Sequence, residues 1–129
     1  MLLPGDSIKS PRYETLILSE YYKPANALAL NTTVINVVGN DIEIDAASVA
    51  TGDYRFLINV PNALAGASYK INFVSNVVSG SIFARDGTGG TGTILAQTNH
   101  ASTSLDFTAT TGAFSILVTL STGESLPRT

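Results

Sequence analysis

Apolar residues along this chain come in short runs, and Gly, Asn, Asp or Pro closes each one. Runs rich in Val, Ile and Phe, separated by Ser- and Thr-rich stretches, predict strands joined by polar turns. β-Branched and aromatic side chains fit a pleated, half-buried surface. The strands expected on this pattern are 33–38, 41–45, 54–60, 69–73, 81–85, 93–96, 104–109 and 113–120. In Asp41-Ile42-Glu43-Ile44-Asp45 and in Tyr69-Lys70-Ile71-Asn72-Phe73 polar and apolar positions alternate strictly, which gives each strand one apolar face. Gly39-Asn40 separates the first two strands and reads as a hairpin turn, since both residue types tolerate positive φ. The last strand carries Phe114, Ile116, Leu117, Val118 and Leu120 on both faces and is expected at the centre of a sheet. The fold class is therefore expected to be all-β: a jelly-roll-like antiparallel β-sandwich of two four-stranded sheets.

The first thirty residues follow a different pattern. Pro4, Pro11 and Pro24 punctuate them. Between two of these prolines Tyr13, Leu16, Ile17 and Tyr21 keep helical spacing, while Leu16 and Leu18 alternate as a strand would. The segment reads as an extended N-terminal arm or edge strand over 1–30, ahead of a sandwich over 31–129, with Asn26 to Leu30 a second short stretch whose pattern leaves open one helical turn. An arm with this many large apolar side chains is unsuited to a free tail. Tyr13, Leu16, Ile17, Tyr21 and Tyr22 are the expected contact residues for another chain, because tyrosine offers contact area with little rotamer entropy to lose.

Composition narrows the function. A length of 129 residues is one domain's worth. Charged residues make up 13% of the chain against 44% apolar ones, which excludes intrinsic disorder. A net charge of −3 argues against nucleic acid or an anionic membrane as partner. Without cysteine, disulfides, thiolate metal sites and cysteine nucleophiles are impossible. Met1-Leu2-Leu3-Pro4-Gly5-Asp6 lacks the basic region and apolar run of a secretory signal, so an intracellular location or export by assembly into a particle is expected.

Candidate chemistry is sparse. Asp41, Glu43 and Asp45 project from one strand face and could hold a calcium ion, though not as an EF-hand loop. The plainer reading is a solvated face whose charge protects an edge. The stretch Asp86-Gly87-Thr88-Gly89-Gly90-Thr91-Gly92 has no Gly-Lys-Ser/Thr ending and opens no helix, so it reads as a flexible hairpin tip. Asp86, Thr88 and Thr91 would be its partner contacts. His100 is the single histidine, and no Gly-x-Ser-x-Gly elbow accompanies it, so it reads as a solvated loop residue. No catalytic residue, metal or cofactor is expected, and the protein is not expected to be an enzyme.

From Gly52 to Leu120 the spacing resembles a known group. The residues that carry it are Gly52-Asp53-Tyr54-Arg55-Phe56, Ala67-Ser68-Tyr69-Lys70-Ile71-Asn72-Phe73 and Gly80-Ser81-Ile82-Phe83-Ala84. Leu105-Asp106-Phe107-Thr108-Ala109-Thr110-Thr111-Gly112 and Phe114-Ser115-Ile116-Leu117-Val118 complete it. They resemble the small jelly-roll sandwiches of tailed-phage virion proteins, and are similar to carbohydrate-binding modules appended to tail fibres and glycosidases. A short jelly roll with an N-terminal arm resembles the capsid decoration, or cement, proteins. The resemblance implies a structural virion protein on the capsid surface, made in the host cytoplasm. Its partners would be the major capsid protein and copies of itself as a trimer or dimer. The alternative is a glycan-binding module or receptor-binding tail-fibre domain, although this chain has no tryptophan to stack on a sugar. A small RNA-virus coat protein would need a basic interior, and a hydrolase a catalytic set, and neither is legible here.

Overall fold

A computed structural model describes residues 26–30, 33, 35–39, 41–45, 54–121, 128 and 129. The described chain is all-β, an antiparallel sandwich. Its strands are β1 (Ala27–Leu30), β2 (Ile35–Val38), β3 (Asp41–Ile44), β4 (Tyr54–Val60), β5 (Ser68–Asn72), β6 (Ser81–Asp86), β7 (Ile94–Asn99), β8 (Ser104–Thr108) and β9 (Phe114–Leu120). One sheet has five strands in the order β1-β4-β9-β6-β7, and two smaller sheets pair β2 with β3 and β5 with β8. Strands β4 to β9 pair in nested fashion, β4 with β9, β5 with β8 and β6 with β7. This is the pairing of one long hairpin rolled up on itself. It has three nested pairs where an eight-stranded jelly roll has four.

Two expectations change. The sheets divide five, two and two rather than four and four. The short stretch left open to a helical turn is strand β1, paired with β4 from Ala27 opposite Ile58 to Leu30 opposite Arg55. Alanine and leucine favour helices locally, but pairing with an edge of a formed sheet outweighs propensity differences of under about 1 kcal/mol per residue.

The final strand sits third of five, as its two-faced apolar pattern requires. Register assigns the inner face: Phe56, Ile58 and Val60 lie opposite Val118, Ile116 and Phe114, and Ile82 and Ala84 continue the rows. Tyr69 and Ile71 of β5 and Leu105 and Phe107 of β8 close over that face to form the core. Tyr69, Phe107 and Phe114 make a three-ring cluster with centroids 4.8 to 5.8 Å apart, in stacked, tilted and edge-on geometries that suit the ring quadrupoles. The fully buried Tyr69 keeps its hydroxyl satisfied by accepting the Leu64 amide at 2.8 Å.

Gly39 has φ of +63°, the left-handed value its place in the β2–β3 hairpin demands. That hairpin packs on the sandwich through Ile44, with Ile35 and Ile42 beside it.

Candidate functional site

The site that emerges is a cleft of about 490 Å³ toward one end of the sandwich, with an apolar floor and walls that mix polar and apolar side chains. Its floor is an inner row of the large sheet, Phe56, Val118 and Ile82. One wall is the β2–β3 hairpin, contributing Asp41, Ile42 and Ile44. The other is the connection between β5 and β6, with Phe73, Val74, Ser75, Asn76 and Val77. Asn72 at the end of β5, His100 and Thr129 complete the lining.

The β5–β6 connection has no ladder of its own and is fastened by single contacts. Phe73 donates its amide to the Thr103 carbonyl at 3.0 Å, and Asn76 its amide to the Thr129 carbonyl at 2.9 Å. Thr129 in turn donates its amide to Asn76 Oδ1 at 2.9 Å. Arg128 exchanges both backbone hydrogen bonds with Ile44, at 2.7 and 3.2 Å. Residues 128 and 129 thus strap the hairpin to the connection.

His100 is the third fastening and corrects its reading as a solvated loop residue. It is only 5% exposed. Its Nε2 lies 2.9 Å from the Thr119 carbonyl, and its Nδ1 2.9 Å from Ser75 Oγ. A carbonyl only accepts, so Nε2 carries the proton, and in the neutral ring Nδ1 accepts from the Ser75 hydroxyl. Ser75 Oγ also accepts the Val77 amide at 3.1 Å. The chain Val77, Ser75, His100, Thr119 joins the connection to the turn after β7 and to the central strand. Nothing local in the sequence marks it, since Ser75, His100 and Thr119 are brought together only by the rolled topology.

The same connection exposes two of its three valines, Val74 at the cleft and Val78 further along. Val77 turns into the core, whereas Val74 is 94% and Val78 78% exposed. They are the two most exposed large apolar side chains among the described residues. In folded proteins scattered exposed apolar residues are ordinary, but an exposed apolar side chain on the wall of a cleft with an apolar floor marks a candidate binding surface.

The other sequence-predicted residues fall elsewhere. Tyr13, Leu16, Ile17, Tyr21 and Tyr22 lie outside the described residues. Asp41, Glu43 and Asp45 sit on the β3 side of the hairpin, where Asn36 Nδ2 donates to Asp45 Oδ2 at 3.1 Å and to Glu43 Oε1 at 3.5 Å. Among the described residues no three His, Asp or Glu side chains gather as a metal would require.

The glycine-rich stretch is not a loose hairpin tip. It folds back on the outer face of the large sheet, over Leu57 and Leu117, which are 1% and 8% exposed. Gly89 donates its amide to Asn59 Oδ1 at 2.8 Å and Gly90 to Ser115 Oγ at 3.1 Å. Gly90, at φ of +74°, lies so close that a Cβ would stand 3.0 Å from Leu57 Cδ2. Asp86 is spent within the fold, accepting the Thr111 hydroxyl at 2.7 Å, while Thr88 and Thr91 face solvent.

No helix among the described residues is long and apolar enough to cross a membrane. Comparison with known protein families, with characterised proteins and with solved structures finds no match to this chain.

Proposed function

We propose that this protein is a structural subunit that works by covering apolar surface on neighbouring protein chains, as a capsid decoration protein does on a virion head. The observation that carries the reading is the β5–β6 connection, where Val74 stands exposed at the cleft and Val78, four residues on, is exposed as well. Removing such surface from water yields about 25 cal/mol per Å². A symmetric shell repeats the contact many times, so individually weak junctions add up to reinforcement. The low charge of the chain and the apolar residues Tyr13, Leu16, Ile17, Tyr21 and Tyr22 of its arm support the same reading. The partners in this reading are the major capsid protein and further copies of the chain.

Immunogold electron microscopy of particles from the source of the sequence tests it. Label in a regular array over the heads is the expected result. Label confined to fibre tips would favour the glycan-binding alternative, and particles without label would contradict both.

A further inference from the structure

We propose that Ser75 and His100 form a nucleophile–base pair in the cleft and that the protein hydrolyses short-chain carboxylic esters there, an activity separate from its structural role. The geometry is that of an activated hydroxyl. Ser75 Oγ lies 2.9 Å from His100 Nδ1, and His100 Nε2 lies 2.9 Å from the Thr119 carbonyl. A nucleophilic serine needs a base within about 2.6–3.2 Å and a third group that orients the base. The Thr119 carbonyl is that third group. It fixes a proton on Nε2, leaves Nδ1 to accept the Ser75 proton, and favours the imidazolium that then forms. The base serves this hydroxyl alone, since His100 is the single histidine and its two nitrogens face Ser75 and Thr119.

The pair is placed to meet a substrate. Both residues line the cleft, with Ser75 half-buried and His100 only 5% exposed. The base is thus shielded from bulk water while the hydroxyl keeps access to the cleft. The Val77 amide donates to Ser75 Oγ at 3.1 Å, which holds the oxygen in place and leaves a second lone pair for attack. The floor of Phe56, Ile82 and Val118 suits an acyl chain, and about 490 Å³ takes a small ester. The carboxamides of Asn72 and Asn76 in the lining supply N–H groups that can donate to an oxyanion. The Asp41 carboxylate in the same lining disfavours anions, which points to neutral esters.

The reaction balances with water as the co-reactant. Ser75 Oγ bonds to the ester carbonyl carbon as its proton passes to His100 Nδ1. The bond from that carbon to the alkoxy oxygen then breaks, and His100 returns the proton to the leaving alcohol. Water, deprotonated by the same nitrogen, attacks the acyl-serine. The carboxylic acid departs and the Ser75 hydroxyl is restored.

The full chain is treated with a fluorophosphonate, whose phosphorus bonds to an activated serine oxygen as fluoride leaves, and is assayed in parallel with p-nitrophenyl butyrate. The expected result is a single phosphonyl group mapped to Ser75 by peptide mass spectrometry, with ester hydrolysis lost in proportion to labelling. Ser75→Ala and His100→Gln should each lower hydrolysis at least about a hundredfold, with folding checked by circular dichroism. The labelling of the unaltered chain keeps the test decisive should either variant fail to fold. An unlabelled chain overturns the proposal. So does equal labelling of Ser75 and of Ser68, whose hydroxyl pairs with that of Thr108, or unchanged hydrolysis in folded Ser75→Ala.

Discussion

The two ends of the sandwich are built on different terms. At the end beyond Val60, Tyr69, Phe107 and Phe114 interlock under strands that are paired along their length. At the Phe56 end the roof is a two-stranded hairpin and an irregular connection, held by residues 128 and 129 and by the Ser75–His100–Thr119 chain. One end is closed by regular register and ring packing, and the other is spanned by isolated polar ties that leave a cleft between them.

The largest expected effect lies at the closed end. Phe114→Ala removes a fully buried ring from the three-ring cluster and should cost about 3–5 kcal/mol, read as the shift of a urea unfolding midpoint. A loss below about 1 kcal/mol would mean that the ring cluster does not hold that end.

At the cleft end His100→Ala should cost about 2–3 kcal/mol, because it strands the Thr119 carbonyl and the Ser75 hydroxyl in a buried site. Hydrogen exchange at the Val77 amide should rise in the same variant, while amides of β5 and β8 stay protected. Uniform loss of protection would show that the two ends do not unfold separately.

A smaller effect is expected on the outer face. Gly90→Ala forces a side chain into the left-handed region and against Leu57, for about 1–2 kcal/mol. A neutral result would show that the glycine stretch lifts off the sheet freely.

The smallest effect on stability belongs to Val74→Asp, within about 0.5 kcal/mol of the parent because the residue is 94% exposed. Its consequence should fall on association alone.

How far the sequence announces these features depends on how local their causes are. The alternation in 41–45 and 69–73 and the two-faced apolar run at 114–120 are properties of neighbouring residues, and each became the strand its pattern predicts. Ala27-Leu28-Ala29-Leu30 carries no alternation of polarity, so only the presence of the β4 edge decides its state. Glycine content at 87–92 signals backbone freedom, which by itself suggests an exposed tip. The same lack of side chains is what lets the stretch lie flat on Leu57 and Leu117. The cleft was invisible because Ile44, Phe56, Val77 and Val118 are distant in sequence and meet only once the hairpin has rolled up. His100 shows the same limit, since its partners at Ser75 and Thr119 come from other turns of the roll.

Sedimentation equilibrium of the full chain beside its Val74→Asp and Val78→Asp variants tests most directly whether the open end serves to bind protein. The parent should sediment as a dimer or trimer at micromolar concentration, and both variants as folded monomers. A parent that is monomeric throughout, or variants that associate as tightly as the parent, would contradict the assignment of the β5–β6 connection as an interface.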